Sequence, residues 1–189
     1  MRRNNMKKES LVEKYKKDII PKMKEKFGYA NNMAVPKLEK IVVNVGVGRL
    51  AQQANFDKIL PEVMNDLSSI TGQKPATSGA KKSIAGFKIR IGQVVGVKAT
   101  LRGRRMYDFL DKLINIVFPR VRDFHGVDLK NVDKKGNLTV GFKEHVVFPE
   151  ILSELLKVDF GLEISIVSNA KTKEESIELY KLLGFPFKK

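Results

Sequence analysis

Lys37-Leu38-Glu39-Lys40-Ile41-Val42-Val43-Asn44-Val45-Gly46-Val47 decides the fold class. Its Ile and Val content, bounded by Pro36 before it and by glycines at its end, reads as a strand. Upstream, Ser10 stands where a helix cap belongs, and Leu11, Tyr15, Ile19, Met23 and Phe27 recur every four residues to a stop at Gly28. Pro21 falls inside that pattern and should kink or divide the helix. Downstream, Ile59, Leu60, Val63, Leu67 and Ile70 mark a second helix over 56–70, ended by Thr71-Gly72. Strands are expected at 74–79, 84–90 and 94–102, with turns at Lys81-Lys82 and Ile91-Gly92. Met106, Phe109, Leu110, Leu113 and Val117 make a third helix closing before Pro119. Strands over 137–143 and 162–168 follow, then a helix over 172–183 capped by Thr172 with Glu174 and Glu175 in its first turn. Hairpin-like strand succession interspersed with helices predicts an α+β fold: one compact domain, 1–189, with helices packed on a largely antiparallel sheet.

Charge narrows the function. The 189 residues carry a formal charge of +15, and it is unevenly spread. Residues 1–28 hold a net +6, including a basic extension over 1–9. Residues 67–107 hold nine basic side chains (Lys74, Lys81, Lys82, Lys88, Arg90, Lys98, Arg102, Arg104 and Arg105) and no acid, while the remainder is neutral. Self-repulsion in such a segment calls for an anionic partner, with nucleic acid first and anionic lipid or an acidic protein behind it. A membrane-surface role would need the helix over 11–27 to turn its apolar stripe outward. No apolar run is long enough to span a bilayer. The absence of Cys excludes thiolate metal sites and thiol nucleophiles, and two histidines cannot build a His-rich centre, so no metal and no cofactor is expected.

Three features are candidates for chemistry. Gly46-Val47-Gly48-Arg49-Leu50-Ala51 fits a G-x-G-x-x-A dinucleotide pattern, but Asp66, at the spacing of the ribose acid, falls inside the second helix. The glycines read better as sites of close backbone approach. His125 and His145 each lie beside an acid, Asp123 and Glu144, yet no nucleophile motif accompanies them and both read as surface histidines. No enzymatic activity is expected. The projecting stretch 78–90 combines cations for phosphates with Phe87, either a stacking face or, with Ile84 and Ile89, core filling for a hairpin.

These residues resemble the family of large-subunit ribosomal protein five, bacterial type. The likeness runs through Leu67-Ser68-Ser69-Ile70-Thr71-Gly72-Gln73-Lys74-Pro75-Ala76-Thr77-Ser78-Gly79-Ala80-Lys81-Lys82-Ser83, on through Ile84 to Arg90, and through Lys98-Ala99-Thr100-Leu101-Arg102-Gly103. It extends to Pro36 to Gly48, Arg105 to Leu110, Pro119 to Phe124 and Leu183-Gly184-Phe185-Pro186-Phe187. The resemblance implies a cytoplasmic, ribosomal protein that holds 5S ribosomal RNA in the central protuberance of the large subunit. It implies Asn44, Gln73 and Thr100 as polar RNA contacts, with Lys74, Lys98 and Arg102 around them. It also implies a loop of Ala80, Lys81, Lys82, Ser83, Ile84, Ala85, Gly86 and Phe87 that reaches P-site transfer RNA. Further implied partners are large-subunit ribosomal RNA, small-subunit ribosomal protein thirteen across an intersubunit bridge, and other 5S-associated ribosomal proteins. Many relatives carry Arg where this chain has Gly79, and the extension Met1 to Met6 is longer than usual.

Overall fold

The structure, a computed structural model, describes residues 10–53, 55–122, 124–151 and 158–188. The extension over 1–9 lies outside them. Five strands, β1 (Leu38–Gly46), β2 (Ala76–Gly79), β3 (Val94–Leu101), β4 (Leu138–Phe142) and β5 (Leu162–Ser168), form one sheet in the order β2-β3-β1-β5-β4, and every neighbouring pair is antiparallel. Four helices accompany it among the described residues: α1 over 11–27, α2 (Phe56–Thr71), α3 over 103–120 and α4 (Lys173–Leu183). The α+β expectation holds.

Strand alternation sends Ile41, Val43 and Val45, their neighbours Leu101, Ala99 and Val97, and Ile164 and Ile166 to one face. There they join Leu11, Ile19, Met23, Val63, Leu67, Leu110, Leu113 and Tyr180 in a single core. Each such side chain adds about 1.5–3 kcal/mol on burial, so the helical side holds the sheet together. The inward turn of Leu11, Ile19 and Met23 also removes the membrane-surface reading, and among the described residues no helix is long and apolar enough to cross a membrane.

The helix ends follow their caps. The Glu13 N–H donates to Ser10 Oγ, Gly28 closes α1 in the left-handed region (φ 70°), and Thr172 with Glu175 forms a reciprocal capping box at the start of α4. Pro21 leaves α1 continuous, because a widened π turn over Tyr15–Ile19 absorbs the missing donor. The third helix differs from expectation at its end. A second π turn, Leu113–Val117, precedes Pro119, and the helix runs through the proline to Arg120.

The stretch 84–90 is not a strand. Ile84 and Ile89 bridge each other across a 3-10 turn, Ala85–Phe87, closed by Lys88 at φ 53°. The apolar positions 84, 87 and 89 do not share a period of two, and Gly86 interrupts them, so no strand face exists to bury. Core filling is likewise overturned: Ile84 is 47% and Phe87 66% exposed.

A candidate nucleic-acid interface on the open sheet face

Among the described residues, no helix covers the second face of the sheet. Antiparallel register lines up Ala76, Lys98, Asn44, Glu163 and Gly141 in one row across all five strands. The next row is Thr100, Val42, Ser165 and Thr139, and on the other side stand Ser78, Gly96 and Gly46. Every residue of the first row is exposed. These rows are made mostly of small and polar side chains, with the cation Lys98 on β3 and one acid, Glu163, on β5.

Asn44 and Lys98, fifty-four positions apart in sequence, become direct cross-strand partners, and Thr100 stands one row further along the same face. Arg102 follows in extended conformation at the start of α3. Lys74 is exposed two residues before Ala76, the partner of Lys98. Gln73 is half-buried in the turn between α2 and β2 rather than on the sheet. Its position is set by the end of α2: Gly72 takes the left-handed conformation, Thr71 Oγ1 donates to the Leu67 carbonyl at 2.7 Å, and the Gln73 N–H donates to Thr71 Oγ1 at 3.3 Å. Lys112, which the sequence did not single out, secures that same helix end. Its Nζ donates to the Ile70 carbonyl at 2.7 Å and to Glu150 Oε1 at 2.6 Å while lying over the Phe109 and Phe148 rings.

The loop between β2 and β3 rises from one end of this face. Ala80 pairs with Gln93 and Gly92 through backbone hydrogen bonds of 2.8 and 2.9 Å, and Ser83 Oγ accepts from the Ile91 N–H at 2.9 Å. Beyond Ala80, the residues Lys81, Lys82, Ser83, Ile84, Ala85, Gly86 and Phe87 are all exposed. A Cβ on Gly79 would lie 3.2 Å from the Gly92 carbonyl, so glycine there lets the two limbs approach closely.

The other candidates separate clearly. The glycine motif opens into a short 3-10 turn, Leu50–Gln52, and not into a helix whose N-terminus could cradle phosphates. His125 is exposed, and its neighbour Asp123 lies outside the described residues. His145 corrects expectation, being fully buried. Its ring stacks on Phe160 with centroids 3.8 Å apart, Nδ1 accepts from the Phe160 N–H at 3.4 Å, and Nε2 points at Asp66 from 3.6 Å. A ring without exposed surface cannot meet a substrate. It holds α2 against the segment leading to β5.

That contact carries a prediction. Burial pushes the Asp66 carboxyl above the usual carboxylate range; His145 offsets part of the shift and Glu62 adds to it. A raised folded-state pKa stabilises fully below the unfolded value, about 3.9, and that contribution disappears as pH climbs through the folded value. Asp66→Asn removes the titration. Its stability relative to the parent chain should therefore rise between about pH 4 and pH 7 in urea unfolding. A difference that is constant or falls over that window would show the carboxyl is not penalised.

Comparison with known proteins adds an independent line. Residues 31–90 match the family model described as "Ribosomal protein L5", and residues 94–187 match the model for the C-terminus of the same ribosomal family. The chain is 55% identical over 179 residues to the "Large ribosomal subunit protein uL5" of Halothermothrix orenii, covering 94% of this chain and 97% of the relative. It is 54% identical over 178 residues to the protein of the same name from Syntrophomonas wolfei, covering 94% and 98%.

Proposed function

The chain belongs to the ribosomal protein L5 family, a structural and non-enzymatic family of the large ribosomal subunit, and from that premise we propose that its open sheet face holds 5S ribosomal RNA in the central protuberance. The observation that carries this reading is the row in which Asn44 and Lys98 stand side by side on an uncovered face, with Thr100 beside it. Folded RNA hides base edges in a narrow major groove, so proteins read its phosphates, 2′-hydroxyls and loop bases. Asn44, Thr100 and Gln73 can each donate and accept, which suits a 2′-hydroxyl or base edge, while Lys74, Lys98 and Arg102 neutralise phosphates. Glu163 repels phosphate, so the backbone of the RNA runs over β2 and β3 rather than over β5.

Binding of a 5S transcript tests the reading. Asn44→Leu should weaken it about 10-fold by leaving a polar partner unmatched, without changing the thermal midpoint. Equal affinity for 5S and for an unrelated RNA of the same length would remove it.

The loop from Ala80 to Phe87 then contacts P-site transfer RNA. Its support is the position of Lys81 and Lys82, exposed between the Ala80 backbone pairs and the Ile84–Ile89 bridge and outside the strands of the sheet. Replacing both by Ala should leave isolated 5S binding within about two-fold while clearly lowering P-site transfer-RNA occupancy on reassembled subunits. Equal losses in both assays would refute the division. On the helical side, Lys16 and Lys22 of α1 are exposed, a surface suited to large-subunit ribosomal RNA. Contacts to small-subunit ribosomal protein thirteen and to other 5S-associated proteins complete the proposal, resting on family membership alone.

A further inference from the structure

The glycine motif lines a cleft of about 450 Å³ where the hairpin meets the sheet. Gly46, Gly48 and Gly161 form its floor, Phe87 and Ile89 its wall, and Arg49 its rim. We propose that this cleft is a slot for one unstacked base of the RNA held on the open face. The inference rests on the 5S reading and adds the chemistry of one subsite.

The floor follows from alternation. Val45 and Val47 are fully buried on the helical side, which puts Gly46 on the open side of β1. Glycine inside a strand costs about 0.5–1 kcal/mol relative to Ala, so it needs a reason. Gly161 has one, since its Cβ would lie 3.0 Å from the Phe142 carbonyl. Gly46 has none among the described residues. Its φ is not positive, and an added Cβ would meet nothing within 4 Å. What glycine provides at 46 is an uncovered backbone plane.

The wall is held at a fixed distance from that plane. Gln52 Nε2 donates to the Phe87 carbonyl at 3.0 Å, tying the hairpin to the turn that follows Arg49. The Phe87 ring, 66% exposed, thus stands beside the floor with much of its surface in water. A flat apolar bed, an aromatic edge and a guanidinium at the mouth match a nucleobase with its phosphate. Among the described residues, no acid lines the cleft. An apolar peptide would leave Arg49 unmatched, and a free nucleotide would need the helix N-terminus that this motif lacks. The acid-free 67–107 segment and continuity with the row of Lys98 and Asn44 favour RNA.

Gly46→Val tests the slot without threatening the fold, because the new side chain projects into open space from a strand that favours β-branched residues. The thermal midpoint should hold or rise. Affinity for a 5S transcript should fall about 5- to 100-fold, the worth of one stacked base, and chemical probing should find one unpaired nucleotide newly reactive within an otherwise preserved footprint. Phe87→Leu should expose the same nucleotide. Unchanged affinity and footprint in Gly46→Val would overturn the slot alone, as would a shift of the parent's thermal midpoint by adenosine monophosphate that Gly46→Val abolishes while its footprint stays intact. Failure of the unaltered chain to bind 5S RNA would overturn the 5S reading and the slot with it.

Discussion

Raising monovalent salt from about 50 to 200 mM should weaken the proposed 5S binding by about 130- to 500-fold, with a log–log slope of about −3.5 to −4.5. The size follows from about five neutralised phosphates, each releasing condensed counterions when a Lys or Arg replaces them. The open face and its surroundings carry the cations that such a slope requires. Lys98 lies in the central row of the open face, Lys74 and Arg102 flank it, and Arg104 and Arg105 begin α3 directly after β3. Among the described residues, none of these five faces an acid strongly enough to be neutralised within the chain: Arg104 approaches Asp108 only at 3.9 Å, with both side chains largely exposed. Competing internal ion pairs would flatten the slope; their scarcity keeps it steep. A filter-binding titration across four salt concentrations measures it, and a slope near zero would mean that the acid-free segment meets no phosphate. Glu163→Gln supplies an internal check, because removing the one acid of the central row should raise affinity without altering that slope by more than about one unit.

Elements whose stabilising partners are local were legible in the sequence. The caps at Ser10, Gly28, Thr172 and Gly72 act within one helical turn, and the alternation of β1 needs only its own nine residues. The fold class followed from these. What was not legible depends on register or on distant partners. Asn44 and Lys98 could each be named, but that they touch depends on strand pairing across fifty-four positions. His145 reads as a surface residue until Asp66, from α2, and Phe160, ahead of β5, close over it. Lys112 looks like one more lysine on a basic chain until the Ile70 carbonyl and Glu150 occupy its ammonium. The strand expected over 84–90 is absent for a local reason: Ile84, Phe87 and Ile89 share no period of two, and Gly86 interrupts them with a 3-10 turn.

Gly136→Ala should be strongly destabilising. Gly136 sits at φ 79°, where a side chain is strained, and an added Cβ would collide with Ser176 Oγ and lie 3.3 Å from Ser168 Oγ. Relief by shifting the turn is blocked by what the residue holds. Its carbonyl accepts hydrogen bonds from Ser168 Oγ and from the Tyr180 hydroxyl, both at 2.9 Å and both buried. The turn over 133–137, β5 and α4 are thus joined at one peptide group, and moving it costs Ser168 Oγ and the Tyr180 hydroxyl this buried acceptor, the latter keeping the Ile166 carbonyl at 3.2 Å. Left-handed strain of about 1 kcal/mol and the loss of two buried hydrogen bonds sum to about 3–5 kcal/mol, or about 6–20 °C in the thermal midpoint. Gly28→Ala separates the contributions. It carries similar strain, at φ 70°, but its Cβ would meet nothing within 4 Å, so its loss should stay near about 1 kcal/mol. Adding Ser176→Gly to Gly136→Ala should recover part of the difference by removing the colliding oxygen. Equal losses for Gly28→Ala and Gly136→Ala would show that this junction tolerates displacement. Because the junction lies on the helical side of the sheet, the folded Gly136→Ala chain should still bind 5S RNA with the parent's salt slope, which ties the open face to the RNA and the covered face to stability.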